Sequence, residues 1–516
     1  MGHDDAFLQA IRENPDDDAP RLVYADWLEE RGDPRGEFIR VQCALARMDE
    51  YDPRRWGLLG RERELLAAHN RDWLGPIADF VGGWRFHRGF LDRVEANGLQ
   101  LVTVGEDLAR RGPTPGLRLV GPDRKLPELL ASPLGPRLRR LEFAVTDDRE
   151  GAEPLAERDM RALLSADAFP ALTSLMCAPG LELGAEGVRR LALAPCLARL
   201  KEMAIDLGPI GAAGTEALAD CPALAGLECL HLPRNDLTAA SMQALAASRQ
   251  LAQLRVLDLA ENRIDAAGAQ ALARNPRLAS LEELDLSGNP LGDAGVAHLS
   301  ASPHLRRVAV LRLRRTRIGA PGANVLTRAA FARTLTRLDL SDNRLFAAGA
   351  RALAADGAFA DLGALDLTGN EIGDEGAQAL AGAPQYACLK ALRLGVNGLR
   401  VWGLKAVTSS EHLRAVRILD LRSNLIGDMG LQVLARWEGL RGVRVLNLHA
   451  NRIGDDGARD FASSPFLDGL RQVDLSGNAI SSALQEALQQ SPLGRSNVVK
   501  LDVSNNFVHG DEDVPF

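Results

Sequence analysis

Residues 281–289 read Leu281-Glu282-Glu283-Leu284-Asp285-Leu286-Ser287-Gly288-Asn289, and the phrase returns at Leu362-Gly363-Ala364-Leu365-Asp366-Leu367-Thr368-Gly369-Asn370. Around these two stretches asparagine recurs every 27 residues, at Asn235, Asn262, Asn289, Asn343, Asn370, Asn397, Asn424, Asn451 and Asn478. Thr316 fills the one vacant place, and Asn506 follows 28 residues after Asn478. Apolar residues stand eight, five and three places before each asparagine. Self-similarity of this length means stacked supersecondary units, each packing only on its neighbours. At 516 residues the chain is too long for one ordinary core, and an array removes that limit.

Within a unit, the residues leading to the asparagine alternate inward and outward, which predicts a short strand. An asparagine there can turn its amide onto loop backbone groups, so stacked copies predict a hydrogen-bonded ladder of Asn235, Asn262, Asn289, Asn343, Asn370, Asn397, Asn424, Asn451, Asn478 and Asn506. Two places on comes an apolar anchor (Ile264, Leu291, Ile318, Leu345, Ile372), and six places on a glycine (Gly268, Gly295, Gly322, Gly349, Gly376). Helix-forming runs follow, with Leu at the tenth place. Read as L-x-x-L-x-L-x-x-N, the unit resembles the leucine-rich repeat. Its 27–28 residue length and phrases such as Ile372-Gly373-Asp374-Glu375-Gly376-Ala377 resemble the ribonuclease-inhibitor subtype. The resemblance implies an α/β leucine-rich-repeat solenoid, a horseshoe with a concave parallel sheet and convex helices.

Upstream the repeat blurs. Leu91 and Val94 lead to Asn97, Leu117 and Leu119 form a pair, and Leu138, Leu141 and Phe143 lead to Thr146 before an insertion at 147–154. Gly180 and Gly208 then hold the asparagine place. Before all of this, four helices are expected: one opened by Asp4 and Asp5, one from Pro20, one from Gly36 and one over 54–69. Four of the six tryptophans (Trp27, Trp56, Trp73, Trp84) fall here, predicting a small core of large aromatics. The stretch from Asp4 to Gln42 (D-D-A-F-L-Q-A-I-R-E-N-P-D-D-D-A-P-R-L-V-Y-A-D-W-L-E-E-R-G-D-P-R-G-E-F-I-R-V-Q) resembles a short bacterial repeat-companion domain found ahead of such repeats. The expected organisation is a small all-α N-terminal domain over 1–75, degenerate repeats and transition over 76–170, regular repeats over 171–510 and an acidic tail at 511–516.

A net charge of −8 gives no general attraction to nucleic acid or anionic membranes. All but five of the 61 basic residues are arginine; base composition of the genome is the simpler reading, and contact geometry the other. Six scattered cysteines without a C-x-x-C read as free thiols in a reducing compartment. The start M-G-H-D-D-A-F-L has no apolar core of a signal peptide, and Ala6 breaks the myristoylation pattern. With no apolar run of membrane-spanning length, a bacterial cytoplasmic location is the expectation.

Side chains four and two places before each asparagine should point to the concave face. The first column contains Asp258, Asp285, Arg312, Asp339, Asp366, Arg393, Asp420 and Asp474, and the second contains Arg314, Arg422 and His449. Most of these are what any solvated sheet carries. At the vacant asparagine, Arg312, Arg314, Arg315 and Arg317 gather between Asp285 and Asp339. They read either as a site for an acidic partner or as a cross-strand charge ladder. The partner-binding residues expected are Asp258, Asp285, Arg312, Arg314, Arg315, Asp339, Asp366, Arg393, Arg422 and His449. His449 between Asp420 and Asp474 and the tract Asp16-Asp17-Asp18 suggest neither catalysis nor calcium by themselves; the tract lacks the further ligands of a calcium loop and suits a helix start. No nucleophile elbow, zinc-protease or phosphate-loop motif occurs.

The expectation is a non-catalytic protein–protein interaction scaffold with no cofactor and no metal, binding a protein partner on its concave face, without nucleic acid or membrane, and monomeric. A regulator of a nucleotide-dependent enzyme, resembling the leucine-rich activators of small GTPases, is the alternative. A delivered effector with an attached enzymatic module is disfavoured, because no second large domain follows the repeats.

Overall fold

The computed structural model describes residues 3–52, 54–110, 113–121, 125–144, 157–165, 168–179, 181, 183–355, 357–490 and 500–506. Thr146, the insertion at 147–154, Gly180 and the tail at 511–516 lie outside these. The chain divides into two compact units, residues 1–262 and 263–516.

The first unit opens with helices α1 (His3–Glu13), α2 (Ala19–Glu29), α3 (Pro34–Arg47) and α4 (Arg55–Leu74). Asp33 caps α3 by accepting from Arg35 N at 2.9 Å, with Pro34 in the first turn. At the start of α2 the acidic tract divides its labour. Asp17 accepts from Ala19 N at 2.9 Å, whereas Asp18 is 3% exposed and meets Arg47 at 2.6 Å and Arg88 at 3.5 Å. Asp18 is therefore a buried ion-pair centre, and its proximity to a helix start is secondary. The helices pack Leu8, Ile11, Tyr24, Leu28, Ile39 and Cys43 into one cluster with Phe90, and Trp27 lies against it. Phe90 is not helical. It belongs to a hairpin, β1 (Gly83–His87) with β2 (Phe90–Asn97), where the sequence suggests only a blurred repeat. Trp73 stacks on Phe38 with ring centres 4.5 Å apart, but Trp84 is 38% exposed, so phenylalanines of the hairpin replace one expected tryptophan. Gly89 at the turn has φ 83°, and a Cβ there would sit 2.2 Å from Ile39 Cγ1. Its N–H donates to Gln42 Oε1 at 2.7 Å, so only glycine brings the hairpin this close to α3.

Asn97 caps α5 (Gly98–Arg110) through reciprocal bonds with Gln100 of 2.8 and 2.9 Å, and does not act as a ladder asparagine. From β2 the strands run parallel: β3 (Gly116–Val120), β4 (Arg140–Ala144), β5 (Ser174–Cys177), β6 (Glu202–Ile205), β7 (Cys229–His231) and β8 (Val256–Asp258).

The second unit continues the pattern with β9 (Glu283–Asp285), β10 (Val310–Arg312), β11 (Arg337–Asp339), β12 (Ala364–Asp366), β13 (Ala391–Arg393), β14 (Ile418–Asp420), β15 (Val445–Asn447), β16 (Gln472–Asp474) and β17 (Lys500–Asp502). Each pairs in parallel with the next. Leu284, Leu311 and Leu338 stand opposite one another and are at most 2% exposed. Full burial of a leucine stabilises by about 1.5–3 kcal/mol, so the shared interior outweighs the few hydrogen bonds of a three-residue strand. Both units are α/β solenoids, with a helix after nearly every strand.

Asparagine amides bridge neighbouring repeats. Asn397 Oδ1 accepts from Asn370 N at 3.0 Å and Ile372 N at 3.2 Å, while its Nδ2 donates to Leu367 O at 2.8 Å and Gly395 O at 2.9 Å. Asn343, Asn424 and Asn478 repeat this bridge, and in the first unit Asn262 accepts from Asn235 N and Leu237 N. At Thr316 the bridge shortens. Its hydroxyl donates to Leu313 O at 2.6 Å, and Leu291 N turns to the carbonyl of Asn289 at 2.9 Å.

A second ladder was not visible in the sequence. Asp293, four places after Asn289, accepts from Gly319 N at 2.7 Å and Gly322 N at 2.9 Å in the next unit. Asp374 does the same for Arg400 and Gly403, and Asp428 for Gly454. Each caps a neighbouring helix whose own N-cap residue (Gly319, Arg400, Gly454) makes no side-chain cap. On the opposite helix ends Ser302, Ser410 and Ser464 each donate at 2.6 Å to an alanine carbonyl of the preceding unit.

Candidate functional site: the open face of the repeat sheets

The three residues of each strand divide by alternation. The middle leucine or valine is buried, and its flanking side chains are in most strands half-exposed on the face away from the helices. The aspartates of this face are held by their own turns. Oδ1 of Asp258, Asp285, Asp339, Asp366, Asp420 and Asp474 accepts a backbone N–H two residues on, at 2.8–3.0 Å. Asp339 also takes the Ser341 hydroxyl at 2.6 Å. The aspartate column is thus turn chemistry first, which fixes each carboxylate with one oxygen engaged. At Asp366 burial raises the carboxyl above the ordinary range, Thr368 bonds oppose this, and Asp339 on the adjacent strand adds to it.

The arginines at the vacant asparagine do come together, but with other partners than the columns suggested. Arg312 lies 3.7 Å from Glu283, and Arg314 and Arg315 share Asp342 at 2.8 and 3.4 Å. The bond to Asp342 raises the Arg314 pKa. Arg315 and Arg317 occupy left-handed backbone at φ 53° and 64°. Farther along, Arg393 is 4.0 Å from Asp366 and Arg422 is 3.6 Å from Asp420. Arg312, Arg314, Arg315 and Arg393 reach into neighbouring repeats whereas Arg422 pairs within its own, and pairs as exposed as these contribute about 0–1 kcal/mol.

His449 meets neither Asp420 nor Asp474 directly. Its Nδ1 lies 2.9 Å from Ser476 Oγ, and that hydroxyl donates to Asp474 Oδ1 at 2.5 Å. The serine proton is committed to the carboxylate, so its oxygen accepts from Nδ1–H and leaves Nε2 as the outward acceptor. A nucleophilic serine needs the reverse order, with its proton handed to the histidine. No group of three or more metal-ligating side chains forms among the described residues.

A second polar constellation lies in the first unit, where no local motif announces it. On β1 to β4, Asp92 bonds Arg85 at 2.5 Å through one oxygen and Arg140 at 3.2 Å through the other. Beside it Glu142 bonds Arg93 at 2.9 Å and Arg118 at 3.0 Å. Each carboxylate is less than one-fifth exposed and holds two guanidinium groups. Gly116, lacking a side chain between Arg93 and Arg140, leaves a hollow of about 240 Å³ whose far wall carries Ser174 and Glu202, themselves 2.9 Å apart. The alternation in Trp84-Arg85-Phe86-His87 and Leu91-Asp92-Arg93-Val94-Glu95 was the available signal, but Asp92 and Arg140 are 48 residues apart and nothing local links them.

A family described as Leucine Rich repeat matches residues 252–273, 277–300, 331–354, 362–381, 412–435 and 443–462. No curated protein matches the chain. Among solved structures, an internalin from Listeria monocytogenes is similar at 22% identity, over 63% of this chain and 86% of that one, with a TM-score of 0.38. Six stretches of the chain thus match the leucine-rich repeat family, and they fall within the parallel-strand solenoid described above.

Proposed function

We propose that the chain is a non-catalytic protein–protein interaction scaffold, and that its partner docks on the open face of the repeats. Asp258, Asp285, Arg312, Arg314, Arg315, Asp339, Asp366, Arg393, Arg422 and His449 are the residues assigned to that contact. The observation that carries this reading is the repeated turn bond, Asp339 to Ser341 N at 2.8 Å being one case. It holds each outward carboxylate in place before any partner arrives. A surface already ordered loses less side-chain entropy on binding, and that loss is about 0.5–1.5 kcal/mol per immobilised side chain. Six scattered cysteines without a C-x-x-C support a reducing, cytoplasmic setting. Helices in units of 27 residues support the ribonuclease-inhibitor-like subtype, and the α1–α4 bundle supports a repeat-companion domain. No helix among the described residues is long and apolar enough to cross a membrane. The test is affinity capture from the native cell with the wild type and with Asp339→Lys, Asp366→Lys, Arg314→Glu combined. Loss of a partner that the wild type retains is expected; equal capture by a folded variant contradicts the reading.

A further inference from the structure

Arg417, Arg444 and Arg471 occupy the same place in three consecutive repeats, immediately before β14, β15 and β16. They are direct backbone neighbours: Arg444 N donates to Arg417 O at 2.7 Å and Arg471 N to Arg444 O at 2.8 Å. All three are half-buried. Unlike Arg312, Arg314 and Arg422, none has a carboxylate within 4 Å among the described residues. Each guanidinium is instead anchored through Nη1 alone to backbone carbonyls. Arg417 reaches Val416 O at 3.1 Å, Arg444 reaches Arg441 O at 2.8 Å and Gly469 O at 2.9 Å, and Arg471 reaches Leu470 O at 2.8 Å. Arg444 Nε is buried without a partner. The neighbouring turns make room for these groups. A Cβ on Gly442 would lie 3.0 Å from Arg417 Nη1, and one on Gly469 would lie 2.4 Å from Arg444 Nη1. Burial and then the like charges of Arg471 and Arg417 lower the Arg444 pKa, as expected for cations stacked without counter-charge.

We propose that this arginine column docks an acidic helical segment of the protein partner, one carboxylate to each rung. The inference rests on the scaffold reading and names the partner's chemistry. Three rungs at a strand spacing of about 4.8 Å span roughly 10 Å. Carboxylates at i, i+4 and i+7 of a helix span about 10 Å at 1.5 Å per residue, whereas alternate residues of an extended segment span about 13 Å. The helix matches the column. A nucleic-acid backbone would extend its charge far beyond three rungs, over a protein of net charge −8.

The test uses the full purified chain and two alanine-based 20-residue helical peptides, one with Glu at i, i+4 and i+7 and one with Gln there. At low salt the Glu peptide is expected to bind at least tenfold more tightly than the Gln peptide. Arg444→Glu with Arg471→Glu should remove that preference, and Arg351→Glu with Arg459→Glu, at exposed arginines of two helices, should leave it. Should the reversed column fail to fold, protection of Arg417, Arg444 and Arg471 from dicarbonyl modification by the Glu peptide, on the wild type, replaces it. Equal binding of the two peptides, unprotected arginines, or a single-stranded RNA binding as tightly as the Glu peptide overturns the proposal. Such a failure leaves the scaffold reading to its own open-face variants, which do not touch this column.

Discussion

Asp374 Oδ1 accepts the backbone N–H of Gly403, 29 residues on, at 2.9 Å, and also that of Arg400 at 2.8 Å. One repeat therefore caps the helix of the next, and the glycine is required for the approach: a Cβ on residue 403 would stand 2.5 Å from Asp374 Oδ1. The same geometry joins Asp293 to Gly322. Stability in this array is carried between units as much as within them.

Asp374→Ala is expected to cost about 1–2 kcal/mol, the usual worth of a lost N-cap. Gly403→Ala should cost about 1–3 kcal/mol through overpacking. Because the alanine removes the oxygen that the new methyl would strike, the double variant should cost less than the sum. Denaturant midpoints of the four proteins check this, and strict additivity counts against the shared contact.

Thr316→Asn should stabilise the chain by about 1 kcal/mol, the net worth of a buried hydrogen bond. The longer side chain reaches Leu291 N, which now turns to Asn289 O. The converse change, Asn397→Ala, strands two backbone donors and should cost about 3 kcal/mol or more. Melting temperatures moving in opposite directions are the expected outcome.

Asp455 and Asp366 should respond oppositely to pH. Ser481 bonds hold the Asp455 carboxyl below its ordinary value, so its contribution is present above the unfolded pKa and lost as pH falls through the folded one. Burial holds Asp366 above its ordinary value, so the folded state binds the proton more tightly and stability declines as pH rises through that pKa. Asp455→Asn should therefore destabilise at pH 7, and Asp366→Asn, which keeps an acceptor for Thr368 N, should be neutral or stabilising there. Both differences should shrink below the unfolded carboxylate value of about 3.9. Urea titrations at pH 7 and pH 3 distinguish the two signs.

Cys388 is exposed and should react with a thiol reagent in the native protein. Burial pushes the Cys43 thiol up to about 12 and the Cys196 thiol up to about 11, so these should react only after unfolding. Rapid native modification of either contradicts the packing around Tyr24 and Leu197.

The repeat frame was legible because its signal is periodic: Leu284, Leu311 and Leu338 could be placed side by side from spacing alone. The asparagine bridges followed from the same spacing and from the shape of an amide. Asp374 was not legible as an inter-repeat cap, since in sequence it reads as an acid in the first turn of its own helix. The hairpin at Gly83–Asn97 is hard to tell from the blurred repeats, because Leu91 and Val94 mimic their spacing while Phe86 and Phe90 serve a core tens of residues upstream. The arginine partners are hidden in the sequence for a related reason. Asp342 lies in a turn, outside the strand columns, and only the left-handed backbone at Arg315 and Asp342 sets where those side chains meet.

The most direct measurement is a structure of the chain bound to a partner captured from its own cell. The partner is expected to lie along the open face, against Asp339, Asp366, Arg393, Arg422 and His449. A partner seated wholly on the helical layer, or a small-molecule substrate turned over in the hollow beside Gly116, would contradict it.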